Sequence, residues 1–120
     1  FEVLESKFLT CKGAKKWEHA EAYANLLRVH HPNRIDGWIN QAECLCELHG
    51  AEKAVEALLL DEERFKQSAR YIFAIGCYYA LANEIQRARE YTRRAIKMDG
   101  SLRAEFLEDS SFDAVWDSFS

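Results

Sequence analysis

Residues 69–100 read ARYIFAIGCYYALANEIQRAREYTRRAIKMDG, and this stretch decides the fold that the sequence predicts. Apolar residues recur in it at the spacing of one helix face, and Ala82-Asn83 divides it into two helical segments. Ala88, in the second segment, has counterparts at Ala54 and Ala20, so alanine recurs at intervals of 34 residues. That period is typical of chains built from repeated helix–turn–helix units.

The same phase extends to other positions of three successive copies. The third copy contains Ile72, Ile75, Gly76 and Tyr79, followed by Ala88, Thr92 and Ala95. The second contains Trp38, Gln41, Ala42 and Leu45, followed by Ala54 and Leu58. The first contains Leu4, Lys7, Phe8 and Cys11, followed by Ala20, Ala24 and Pro32. The copies therefore occupy about 1–34, 35–68 and 69–102.

This pattern resembles the tetratricopeptide repeat family, whose repeat reads W-x-x-L-G-x-x-Y, then A-x-x-x-F, then P. Four residues depart from it, namely Lys7, Gln41, Asp61 and Lys66. The resemblance implies an all-α fold in which antiparallel helix pairs stack into a right-handed superhelical solenoid. On this interpretation residues 1–120 form one domain, with three repeats and a carboxyl-terminal capping helix.

The residues themselves predict helices over 2–12, 17–30, 36–49, 52–65, 69–82, 85–98 and 101–108. Turns are predicted at Lys12-Gly13, His31-Pro32-Asn33, His49-Gly50, Ala82-Asn83 and Asp99-Gly100-Ser101, because these residues end helices or tolerate turns. Small residues at Ala42, Gly76 and the three recurring alanines are expected to let helices approach closely. The larger side chains expected between the helices are Trp38, Leu45, Ile72 and Tyr79.

Residues 103–120 are expected to cap the third repeat. The stretch LEDSSFDAVW, residues 107–116, is similar to the ending of small bacterial tetratricopeptide proteins. Its apolar residues would cover the edge of the last repeat, as solenoids require for solubility. The alternative is that they form a partner-binding motif. At the other end, the start at Phe1 without a methionine predicts a trimmed or processed form with more repeats before it, and an apolar edge there would allow self-association.

Charge and cysteine content favour a cytoplasmic protein without a cofactor. The net charge is −4, which argues against nucleic acid as the main partner. No apolar run approaches the roughly 20 residues that span a bilayer. The four cysteines lie within predicted helices, as is typical of reduced thiols in a cytosolic protein.

No motif predicts an enzyme or a metal site. The sequence has no phosphate-binding glycine loop and no nucleophile elbow. Cys44, Cys46 and His49 could suggest metal ligands, but residues two apart on a helix point about 200° apart. Ordinary packing is therefore the favoured interpretation of these thiols. His30 and His31 before Pro32 have the composition of a helix end.

The family resemblance implies a concave groove lined by the first helix of each repeat. The residues predicted to line it and bind a partner are Ile39, Glu43, Cys46, Glu47, Arg70, Phe73, Cys77 and Leu81. The first copy adds Glu2, Glu5, Leu9 and Lys12. This groove would suit a protein or peptide segment with apolar anchors beside basic residues. Phe73→Glu is expected to abolish binding without unfolding the chain.

The predicted function is therefore a non-catalytic scaffold for protein–protein interaction. Glu5, Leu9 and Ala74 replace residues that a chaperone-tail clamp would need, so that specialised function is not expected. One alternative is a secretion or assembly chaperone of the same repeat class. Another is an RNA-binding repeat protein that uses Arg87, Arg89, Arg93, Arg94 and Lys97. These residues also fit a solvated face, on which Glu90 could pair with Arg93 or Arg94.

Overall fold

The computed structural model describes residues 1–104, which contain six complete helices and no strand. The helices are α1 (Glu2–Gly13), α2 (Trp17–His30), α3 (Asp36–His49), α4 (Ala51–Leu60), α5 (Ala69–Leu81) and α6 (Ile85–Met98). Helical conformation resumes at residues 102–104. The all-α prediction is confirmed, whereas most of the predicted cap, 103–120, and half of the predicted helix 101–108 lie outside the described residues. The chain divides into two compact units, Phe1–Leu58 (unit 1) and Leu59–Ser120 (unit 2).

In unit 1, α2 packs against both α1 and α3. Their shared core contains Phe8 from α1, Ala20 and Ala24 from α2, and Cys44 from α3, with Trp17 half-buried against it. The two alanines are completely buried. Because alanine has no side chain beyond Cβ, α2 can lie close to both neighbouring helices.

In unit 2, α5 packs against α6, and Gly76 sets their closest approach. A Cβ atom added at Gly76 would lie 2.7 Å from Thr92 Cγ2 and 3.1 Å from the Thr92 backbone nitrogen. The predicted close contact at Gly76 is therefore confirmed. The Thr92 hydroxyl is buried, and it donates a hydrogen bond to the Ala88 carbonyl at 2.7 Å.

Three buried pairs of residues, each 16 apart in sequence, recur with the period of the repeat. They are Phe8 with Ala24, Ala42 with Leu58, and Gly76 with Thr92. The later two copies have the smaller residue on the first helix, whereas the first copy has the larger one there. Total volume matters more in a core than which side supplies it, so the small Ala24 leaves room for Phe8 in the core of unit 1.

The ends of α1 and α5 have the same backbone conformation, 68 residues apart. Lys15 (φ 58°) and Asn83 (φ 62°) are left-handed. In both cases the next amide donates to the carbonyl five residues earlier, at 2.8 Å and 2.9 Å respectively. Such a bond satisfies a carbonyl in the last turn of a helix. The predicted turn at Ala82-Asn83 is confirmed, but the one at Lys12-Gly13 is wrong because α1 continues through Gly13.

Helix α4 ends at Leu60 instead of continuing to residue 65, and turns occupy residues 61–67. Leaving the helix allows the Phe65 ring to pack against Tyr71, with centroids 5.0 Å apart, and Phe65 is only 7% exposed. It also places the Glu62 carboxylate 2.7 Å from the Tyr91 hydroxyl. Ser68 then caps α5 by accepting a hydrogen bond from the Tyr71 amide at 3.2 Å.

Most of the predicted core residues are buried. Trp38, Ile72 and Tyr79 are at most 6% exposed. Leu45 is only half-buried, and Cys44 occupies the buried position beside it. Cys44 is buried instead of Leu45 because the side of α3 that carries Cys44 faces the core that contains Phe8.

Candidate functional site

The predicted binding residues of unit 1 lie on α3 and meet a residue of α1. Lys12 Nζ lies 2.7 Å from Glu43 Oε1, and the two side chains are 40% and 30% exposed. Ile39 and Cys46 are half-buried, and Glu47 is exposed. Leu9 is 53% exposed and lies three residues before Lys12, on the same side of α1. We call Leu9, Lys12, Ile39, Glu43, Cys46 and Glu47 the α1–α3 surface.

The α1–α3 surface can offer carboxylates and apolar area together. Glu47 lies one helical turn beyond Glu43, so the two carboxylates are neighbours along α3. An ion pair as exposed as Lys12 with Glu43 contributes only about 0–1 kcal/mol to stability. A cation from a partner could therefore replace Lys12 at little cost, while Leu9 supplies apolar contact beside it.

The two thiols of α3 lie in different environments, as their spacing predicts. Cys44 is fully buried, and Cys46 is half-buried. Burial, with smaller contributions from Glu43 and Glu21, raises the pKa of Cys44 to about 12. Burial beside Glu47 and Glu43 also raises the pKa of Cys46. Both thiols are thus protonated at neutral pH, and a protonated thiol is a poor nucleophile and a poor metal ligand.

Within residues 1–104, no cluster of three or more histidine, cysteine, aspartate and glutamate side chains is arranged to hold a metal ion. The same part of the chain has no helix that is both long enough and apolar enough to cross a bilayer.

The predicted binding residues of unit 2 differ widely in exposure. Arg70 is exposed, Leu81 is 52% exposed, and Cys77 is half-buried. Phe73, however, is only 7% exposed. The first half of α5 is apolar on nearly all sides, and such a helix is enclosed by its neighbours. Phe73 is therefore a core residue, and the expectation that glutamate could replace it without unfolding is corrected.

A third surface lies on α6, where six side chains of one face line a shallow cleft. We call this set the α6 stripe: Gln86, Arg89, Glu90, Arg93, Arg94 and Lys97. Arg87 lies outside it, with its guanidinium 6.0 Å from the centroid of the Tyr79 ring. Arg94 lies 3.5 Å from Glu62. Spacing along α6 predicts Glu90 as a partner of Arg93 or Arg94. It gives no signal for the pairing of Arg94 with Glu62, because Glu62 follows α4 in sequence and is not part of α6.

Tyr91 is expected to make the free energy of unfolding depend on alkaline pH. Burial, together with its hydrogen bond to Glu62, raises the Tyr91 pKa from 10.0 to about 12. Below pH 10 the phenol is protonated whether the chain is folded or unfolded. Between pH 10 and 12 the unfolded chain releases a proton that the folded chain retains, so the free energy of unfolding is expected to fall. Urea titrations across this range should show a shallower decline in Tyr91→Phe than in the parent protein, and an identical decline would contradict the prediction.

Comparison of this chain with protein-family models gave no match. A search among curated proteins likewise gave no matching sequence. The resemblance to tetratricopeptide repeats therefore stays a prediction from the residues.

Proposed function

We propose that this chain is a tetratricopeptide-type solenoid, with three repeats and a carboxyl-terminal cap, that binds a segment of another protein. The proposal is supported by the buried pairs 16 residues apart, which recur at the period of the repeat. It is also supported by the matching ends of α1 and α5. Stacked helical repeats characteristically present extended surfaces to partners.

The observation on which the binding proposal mainly depends is the contact between Lys12 and Glu43. This contact joins α1 and α3, the first helices of the first two proposed repeats. It lies on an accessible surface, next to the exposed side chains of Leu9 and Glu47. A suitable partner is a peptide segment with a basic residue beside an apolar one. Its cation would be bound by Glu43 and Glu47, and its apolar side chain would contact Leu9.

The proposed activity is binding without catalysis, in the cytoplasm. Cys11, Cys44, Cys46 and Cys77 are free thiols, which suits a reducing compartment. The protonated state of the α3 thiols gives no support to cysteine-based catalysis. In this proposal the partner is a protein or peptide, and the chain binds neither a cofactor nor a membrane.

Reversing the charge of Glu47 tests this proposal. Affinity capture from the source cell would identify partners of the parent chain, and their binding would then be measured with purified Glu47→Lys. We expect affinity to fall about tenfold, because a cation of the partner would then face a lysine. Glu18→Lys is the matched control, since Glu18 is exposed on α2 and outside the α1–α3 surface. Partners that bind all three proteins equally would exclude the α1–α3 surface.

A further inference from the structure

Lys12 is a cation that the chain itself places on a carboxylate of the α1–α3 surface. Its Nζ lies 2.7 Å from Glu43 Oε1, although both side chains remain accessible to solvent. Glu47, one turn farther along α3, forms no ion pair with any other residue of the described range. Besides burial, Glu47 and Glu43 raise the pKa of the Cys46 thiol, so both carboxylates lie near it. The surface therefore has two carboxylates and one cation of its own.

Lys12 occupies the position in which the proposed function puts the cation of the partner. Two ammonium groups in contact with Glu43 would repel each other, so a basic side chain of the partner reaches Glu43 by displacing Lys12. An exposed ion pair is weak, and the contact is formed in roughly 50–85% of molecules. A site that is open in only a fraction of molecules binds with an affinity reduced by that fraction.

A second position is available to the Lys12 side chain once it leaves Glu43. Lys12 lies in the last turn of α1, and the carboxyl end of a helix carries a partial negative charge. The flexible stem of a lysine lets its ammonium group turn toward these carbonyl groups while the helix stays in place. The displaced cation thus remains in a favourable environment, and the surface can change between an occupied and an open state.

We propose that Lys12 is an internal competitor, which occupies the cation site of the α1–α3 surface until a basic segment of the partner displaces it. This inference rests on the proposed function and adds to it the residue that limits affinity. A segment with apolar residues alone leaves the contact between Lys12 and Glu43 in place, whereas one with a basic residue beside an apolar one opens it. The opposite role, in which Lys12 binds an acidic group of the partner, predicts the opposite effect of removing the lysine charge.

A dipeptide probe tests the competition. N-acetyl-leucyl-lysine amide carries one apolar side chain and one ammonium group, and its binding to the full chain is followed by the chemical shifts of the backbone amides of α1 and α3. Lys12→Met removes the charge and retains a side chain of similar length. We expect it to strengthen binding by about two- to sixfold, because every molecule then has an open site. In the Glu43→Gln background the same substitution should give no such gain, since position 43 then has no carboxylate for Lys12 to occupy.

Lys7→Met is the matched control, because Lys7 is exposed on the same helix and its Nζ lies 5.8 Å from the centroid of the Tyr23 ring on α2. It removes the same charge, so its effect measures the long-range repulsion of the probe, which salt screens. Unchanged or weaker binding in Lys12→Met would overturn the role of Lys12. An equal gain in Lys7→Met, or in the Glu43→Gln background, would do the same.

The probe also separates this inference from the proposed function. Shifts in α1 and α3 without a gain in Lys12→Met would exclude competition by Lys12 and leave the α1–α3 surface as a binding site. A probe that shifts no amide of these two helices, in the parent chain or in Lys12→Met, would overturn both proposals.

Discussion

Phe8→Ala is expected to lower the free energy of unfolding by about 3–5 kcal/mol, the usual cost of removing a buried phenylalanine. Phe8 is 1% exposed and belongs to the core of unit 1 with Ala20, Ala24 and Cys44. Truncation would leave a cavity between α1 and α2. Both alanines already lack atoms that could move into it, so the site has little capacity to collapse.

The exchange of sizes between repeats predicts a partial rescue. Ala24→Leu in the Phe8→Ala background would give the first copy the arrangement that Ala42 and Leu58 have in the second copy. We expect it to recover part of the lost stability, whereas Ala24→Leu alone should destabilise by about 1–3 kcal/mol through overpacking. Urea titration followed by circular dichroism would measure all three variants.

Leu9→Ala is the matched control, because Leu9 is the neighbouring residue of α1 and is 53% exposed. Its expected effect is within about 0.5 kcal/mol, as for most surface substitutions. A loss in Phe8→Ala no larger than that in Leu9→Ala would contradict the placement of Phe8 in the core. If Ala24→Leu restored no stability in the Phe8→Ala background, residues 8 and 24 would not share one packing site, and the repeat alignment would be weakened.

The spacing of apolar residues predicted the helices well, because a helix with one buried face shows its period within its own segment. Five of the six complete helices begin and end within a residue of their predicted bounds. The exception is α4, which ends at Leu60 because Glu62 and Phe65 make contacts with Tyr91 and Tyr71. Both partners lie outside residues 52–65, with Tyr71 six residues after Phe65 and Tyr91 29 residues after Glu62, so helical periodicity within that range gives no sign of them.

The candidate site was predicted less completely, since exposure depends on what surrounds a helix. Repeat positions selected Lys12 and Glu43, which lie in contact. They also selected Phe73, which is buried because the first half of α5 is apolar on nearly all sides. Gly37 was missed, although a Cβ atom there would lie 2.6 Å from the Arg28 backbone nitrogen. No family position marks this residue, so only the packing of α2 against α3 reveals its importance.

Trp38→Ala is expected to cost about 3–5 kcal/mol, with the upper part of that range favoured. Trp38 is 5% exposed, and the guanidinium of Arg28 lies 4.9 Å from its ring centroid. Arg28 also donates a hydrogen bond to Gln41, one of the four polar residues that depart from the family pattern. Removing the indole therefore removes side-chain volume from the core and also removes the cation–π contact with Arg28. Such a contact contributes about 0.5–2 kcal/mol to stability.

Two variants separate these contributions. Trp38→Phe retains an aromatic face, so it should lose clearly less stability than Trp38→Ala, and Arg28→Ala should cost less in the Trp38→Ala background than in the parent chain. Trp17→Ala is the matched control, because Trp17 is only half-buried at the edge of the same unit. Trp38→Ala should exceed this control in urea titration. Equal losses would place Trp38 outside the core, and the alignment of Trp38 with Ile72 in the predicted repeats would then fail.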